Sequence, residues 1–157
     1  MVSAVSAEAR LRELGIRLPR APQPFGAYVE AVQTDGLLFL TGMLPIENQK
    51  PKYIGRIGKE LSGKDGREAA YVAALNALAV VREHLGSLDK VTRIVRLGVY
   101  IATSGDNVDH PQVADGASEL FKDVFGADKM SARLVIGVAS LPLGMPIELE
   151  VILEAKA

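Results

Sequence analysis

Apolar and polar positions along this chain fall into short patterns, each with its own period. IELEVILEA at 147–155 places Ile147, Leu149, Val151 and Leu153 on one face and Glu148, Glu150, Ile152 and Glu154 on the other. That alternation predicts a strand over 146–155. The segment before it is apolar on both faces, with Leu134, Ile136 and Val138 against Val135, Gly137 and Ala139. It predicts a second strand over 132–139. Val91, Ile94, Val95, Leu97, Val99 and Ile101 form a β-branched run that predicts a strand over 91–102. YVEAVQTDGLLFLTG splits into two apolar runs around Thr-Asp-Gly, a hairpin signal with strands at 27–33 and 36–42.

Helical periodicity takes over elsewhere. Residues 65–85 open on Asp65 as a helix cap, with Glu68 three residues later and Gly86 as the stop. Six alanines favour the helix, and Val72, Leu75, Leu78, Val81 and Leu85 supply its apolar stripe. A second helix is expected over 110–125, with Pro111 near its start and Gly126 after its end. A short one is expected in SAEARLRELG, capped by Ser6 and stopped by Gly15. RLPRAPQPF at 17–25 reads as an extended arm, and 43–64 as a loop that leaves room for a short strand near 53–57.

The order β-β-α-β-α-β-β predicts an α+β domain of two layers, a mixed sheet with helices on one face. We divide the chain into an N-terminal helix and arm (1–24) and a main domain (25–157). The uncovered face of such a sheet would expose much apolar surface, and oligomerisation is the economical way to cover it.

Composition narrows the chemistry. The 157 residues are 48% apolar and 24% charged, with a net charge of −1. Nucleic acid is disfavoured as a partner, because a phosphate backbone calls for a basic face. No cysteine is present, which excludes disulfides, thiolate catalysis and Fe–S clusters. Neither a run long enough to span a membrane nor a secretory leader is read, so a cytoplasmic protein is expected. The two histidines suggest no metal site. His84 suits the negative end of the long helix, and His110 is expected in a solvated loop.

Arg133 stands out inside an otherwise apolar strand. A guanidinium there cannot shed its charge and needs a partner. Either it forms an ion pair with Glu148, Glu150 or Glu154 of the following strand, or it is a fork for a ligand carboxylate. A hairpin register uncertain by a residue or two leaves open which glutamate would face it.

Three stretches resemble the YjgF/RidA family of reactive-intermediate deaminases, often labelled L-PSP endoribonucleases. PFGAYVEAV followed by LLFLTGMLP, at 24–45, is similar to the family's G-x-Y and SGQ-x-P segments. ALNALAVVREHLGSLDKVTRIVRLGVYI at 74–101 resembles its Ala-rich helix and following strand. SARLVIGVASLPLGMPIELEVILEA at 131–155 resembles its A-R…LP…IELE signature. The resemblance implies a chorismate-mutase-like fold and a homotrimer with clefts between subunits.

It further implies hydrolysis of an imine or enamine, such as 2-aminoacrylate, to a 2-oxo acid and ammonia without a cofactor. The catalytic residues carried over are Arg133, which would hold the substrate carboxylate, and Glu148, which would position water. Tyr28, Thr41, Gly42 and Val135 match substrate-binding positions. Met43 stands where glutamine is common, the second helix lacks an asparagine found in some active members, and the arm and the 46–64 loop mark a longer subgroup. The partner expected is a small carboxylate-bearing metabolite. A non-catalytic trimer that binds such carboxylates is the alternative, and a nuclease ranks below both. A lid role for the 46–64 loop is also expected.

Overall fold

The long helix is the element on which the rest is laid. The computed structural model describes residues 5–105 and 108–156. In chain order it contains α1 (Ala7–Glu13), β1 (Ala31–Thr34), β2 (Leu37–Leu40), β3 (Ile46–Glu47) and β4 (Lys50–Pro51). These are followed by α2 (Gly63–Leu85), β5 (Val91–Ala102), α3 (His110–Phe125), β6 (Ala132–Val138) and β7 (Ile147–Ala155). One mixed sheet runs β1-β2-β7-β5-β6, and β3 and β4 form a separate small hairpin. Among the described strand pairs only β5–β6 is parallel, with α3 as its crossover. The expected α+β layering is therefore present, with α2 and α3 against one face of the sheet.

That inner face is built from the predicted alternation. Leu38 from β2, Leu97, Val99 and Ile101 from β5, and Ile147, Leu149, Val151 and Leu153 from β7 are all buried. Against them α2 lays Ala69, Ala70, Ala73, Ala74 and Ala77, whose small side chains let the helix lie close to the sheet. Leu75 and Val72, expected in the apolar stripe, are only half-buried. The alanine face points inward together with Leu78, Val81 and Leu85, which are buried as expected. Asn76 is buried among these alanines, and its amide donates to the carbonyls of Leu44 and Ile46 at 2.9 and 3.0 Å. It ties the chain leaving β2 to the long helix.

Several boundaries move, each for a local reason. The α2 cap is Ser62, not Asp65: Ser62 Oγ accepts from the Asp65 amide, and the Asp65 carboxylate accepts from the Ser62 amide. Glu68 instead accepts from the Tyr53 hydroxyl. The first strand starts at Ala31 because Phe25–Tyr28 closes on itself, with Tyr28 N–H donating to the Gly26 carbonyl at 3.0 Å. The hairpin turn falls at Asp35-Gly36 as predicted, both at positive φ (46 and 80). Within the 43–64 loop, the hairpin β3–β4 turns through Asn48 and Gln49, and the 53–57 stretch holds only an isolated bridge at Ile57.

The N-terminal helix is capped by Ser6, as expected, and buries Ala7 and Leu11 in the same core as the other helices. A clamp holds it there. Glu8 accepts from Arg82 Nε and Nη2 (3.2 and 2.7 Å) and from the Leu88 amide (2.9 Å). The arm after it is fastened by a reciprocal amide pair: Gln23 N–H donates to Gln49 Oε1, and Gln49 Nε2 to the Gln23 carbonyl.

Candidate functional site

The outer face of the sheet carries the other half of the alternation. Val32 and Phe39 from β1 and β2 are exposed there, as are Leu134 and Ile136 on β6. Between them run Glu148, Glu150 and Ile152 of β7 and Arg96 and Tyr100 of β5. Arg96 Nε donates to Glu150 Oε1 at 2.7 Å, so Glu150 is already paired. Glu154 accepts from the Thr92 hydroxyl. Glu148 is different: it is half-buried and makes neither hydrogen bond nor ion pair among the described residues. Burial without a compensating partner pushes its carboxyl pKa above the usual range.

Glu148 rests on Gly42. A Cβ built at residue 42 would meet Glu148 Cδ and Oε2 at 2.8 Å, so only glycine leaves room for the carboxyl group. The space exists because β2 ends at Leu40 and the chain rejoins β7 only at the Met43–Leu149 bridge. Thr41 and Gly42 make the break. Tyr28 lies beside them, its hydroxyl accepting from the Phe25 amide at 2.8 Å. Tyr28, Thr41, Gly42, Glu30 and Met43 line one shallow depression that encloses only ≈10 Å³. Four of the six residues singled out in the sequence thus gather at one place: Tyr28, Thr41, Gly42 and Glu148.

Arg133 and Val135 are elsewhere. On the edge strand β6 they stand in register with Leu97 and Val99, whose side chains face the helices. Glu148 stands opposite Tyr100, on the outer face. Arg133 therefore meets none of the three glutamates considered for it. Its Nη1 donates to Asp115 Oδ1 at 2.7 Å and to Ser118 Oγ at 3.1 Å, both on α3. Asp115 was missed in the sequence because nothing local marks it. Only the α3–β6 packing brings it to a residue eighteen positions away. Nε and Nη2 of Arg133 make no hydrogen bond among the described residues.

His110, near the same edge strand, is not the solvated loop residue expected. It opens α3 and is half-buried. Nδ1 lies 2.9 Å from the Val108 carbonyl. A carbonyl only accepts, so Nδ1 carries the proton in the neutral ring. Its Nε2 lies over Gly137, where a Cβ would come within 2.7 Å. His84 sits in the last turn of α2, as expected, with Nε2 3.3 Å from Gln33 Oε1.

A larger cavity of about 520 Å³ lies between the arm and the β3–β4 hairpin, lined by Arg20, Gln23, Gln49 and Asn76 among others. It contains neither Arg133 nor Glu148. Among the described residues no group of three or more acidic or histidine side chains could hold a metal ion. No helix there is long and apolar enough to cross a membrane.

Comparison with known proteins agrees with this architecture. Residues 8–153 match the family model described as "YjgF/chorismate_mutase-like, putative endoribonuclease". Protein TCP17 of Trypanosoma cruzi is 35% identical over 155 residues, covering 98% of this chain and 97% of its own. A 2-iminobutanoate/2-iminopropanoate deaminase of Dermatophagoides farinae is 30% identical over 135 residues, 86% of this chain and 91% of its own. The solved structure of Atu1372 from Agrobacterium tumefaciens, described as of unknown function, has a TM-score of 0.87 at 34% identity. It covers 96% of this chain, which covers 92% of it. The fold is the chorismate-mutase-like one.

Proposed function

Because the chain belongs to the YjgF/RidA family, we propose that it hydrolyses reactive 2-imino acids and their enamines to 2-oxo acids and ammonia, without a cofactor, at clefts between subunits. The observation that carries this reading is Glu148, a half-buried carboxyl with no partner among the described residues, seated on Gly42 beside Tyr28. A raised pKa keeps more of it protonated near neutrality, which suits a group that must both give and take a proton.

The chemistry asks little of the protein. Water oxygen adds to the C=N carbon while the nitrogen takes a proton. The carbinolamine then collapses to C=O as the C–N bond breaks and ammonia leaves. Arg133 would hold the carboxylate through the Nε and Nη2 donors it does not spend on Asp115 or Ser118. Glu148 would protonate the leaving nitrogen and orient water.

One chain cannot assemble this site, since Arg133 and Glu148 occupy opposite faces of the sheet. A homotrimer would join them. The exposed Val32, Phe39, Leu134 and Ile136 support an interface on the outer face. It would set the Tyr28–Gly42–Glu148 half-site of one copy against the Arg133–Val135 half-site of the next. Ammonia release from enzymatically generated 2-aminoacrylate tests the reading. Arg133→Ala and Glu148→Gln should each fall at least about 100-fold below wild type. A wild-type rate no higher than buffer would overturn it.

A second reading rests on the same anchor. Arg133 keeps Nε and Nη2 unspent among the described residues, which equally suits a trimer that binds small carboxylates without turning them over. Ligand binding that depends on Arg133, with no ammonia release from any imine tried, would select it.

A further inference from the structure

Asp115 poses a problem that stability does not answer. It lies within α3, far from either cap, and its ion pair with Arg133 leaves the two side chains 41% and 28% exposed. A pair at that exposure contributes little to folding. Yet it places a carboxylate directly on the guanidinium expected to receive a ligand's carboxylate. Only Oδ1 of Asp115 and Nη1 of Arg133 are engaged with each other. Among the described residues, Oδ2 of Asp115 has no hydrogen-bond partner, nor have Nε and Nη2 of Arg133. An acceptor and a pair of donors therefore stand side by side.

We propose that Asp115 makes the Arg133 site selective for ligands that carry a positively charged nitrogen besides the carboxylate, amino-acid zwitterions and protonated imines, over plain 2-oxo acids. This rests on the reading of Arg133 as a carboxylate anchor. The argument is one of charge. The Arg133–Asp115 pair sums to zero, so a ligand that is only an anion adds an uncompensated negative charge beside Asp115. A zwitterion adds none, and its nitrogen can donate to the unused carboxylate oxygen. Closure of the cleft by the neighbouring copy would limit how far solvent screens this difference.

The consequence for turnover is directional. A protonated imine is both the more electrophilic form and the form Asp115 attracts. Hydrolysis expels the nitrogen as ammonia, so the 2-oxo acid left behind loses the feature that held it. The site would release its product by the same charge that selected its substrate.

Calorimetric titration of the assembled, full-length protein with L-alanine and with pyruvate, two ligands on one carbon skeleton, tests this. Wild type should bind alanine about tenfold or more tightly than pyruvate. Asp115→Asn keeps the shape and removes the charge. It should bring the two affinities within about threefold, chiefly by tightening pyruvate. Equal affinities in wild type, an unchanged ratio in Asp115→Asn, or no measurable alanine binding would each overturn the inference. Arg133→Ala separates it from the reading beneath it. If pyruvate binding needs Arg133 but wild type shows no preference for alanine, only the role of Asp115 fails. If neither affinity depends on Arg133, the carboxylate anchor fails as well.

Discussion

Arg133 and Glu148 project from opposite faces of one sheet, on strands separated by β5. The register decides this. Arg133 is opposite Leu97, which points at the helices, and Glu148 is opposite Tyr100, which points away from them. Two residues that look like partners fifteen positions apart in the sequence stand on opposite sides of the sheet, and in the proposed trimer they would belong to two different half-sites. Four expectations follow from that geometry and from the contacts around it.

The outer sheet face should be an interface. Ile136 is 38% exposed in the single chain, on a strand whose pairing with β5 does not depend on its side chain. Ile136→Asp should leave the fold intact by circular dichroism and shift light-scattering mass from trimer toward monomer. A wild-type protein that is monomeric at micromolar concentration would refute the shared cleft.

Gly42→Ala should displace Glu148 without unfolding the protein. The added methyl would come within 2.8 Å of the carboxyl carbon, which has somewhere to go because it faces the outer side of the sheet. A displaced carboxyl should cost roughly 10–100-fold in kcat, with Tm little changed. Unchanged kcat would mean that Glu148 is not where the chemistry happens.

The raised pKa of Glu148 carries a stability cost with a definite sign. Folding disfavours its ionised form, so the native state binds the proton more tightly than the unfolded chain. Glu148→Gln should therefore raise Tm at pH 7, by roughly 1–3 °C. The gain should shrink as pH falls through the raised pKa and vanish where both side chains are neutral. A variant that is less stable than wild type at pH 7 would contradict the missing partner.

Glu8 works in the opposite sense. Burial alone would raise its pKa, but the Arg82 hydrogen bonds, the Leu88 amide and the nearby positive charges outweigh it and hold the group below its ordinary value. Its contribution is present above the unfolded-state pKa and is lost as pH falls through the lower, folded value. Glu8→Gln should lower Tm by about 4 °C at pH 7, with the difference closing in acid. An equal loss at pH 3 would point to packing rather than charge as the cause.

Local sequence carried most of the fold. The strands at β5 and β7, the helix α3 and the Asp35-Gly36 turn needed only side-chain period and turn chemistry, both settled within a few residues. The α2 cap was misplaced because Ser62 with Asp65 and Asp65 with Glu68 offer the same box, and only the hydrogen bonds choose between them. Asn76 looked like one more helix residue until the packing put it under two carbonyls.

The candidate site divided along the same line. Glu148 was readable as an acid on the strand face away from the core, because β7 alternates between an apolar face and one that is charged except at Ile152. Arg133 was readable as an anomaly, but its orientation was not. Strand β6 is apolar on both faces, so its alternation does not say which face turns inward. Parallel pairing with β5 made that choice, and the crossover helix then delivered Asp115 and Ser118 to the guanidinium. The residue types were present in the chain from the start. Which of them meet depended on strand register and helix packing, long-range contacts that no local pattern encodes.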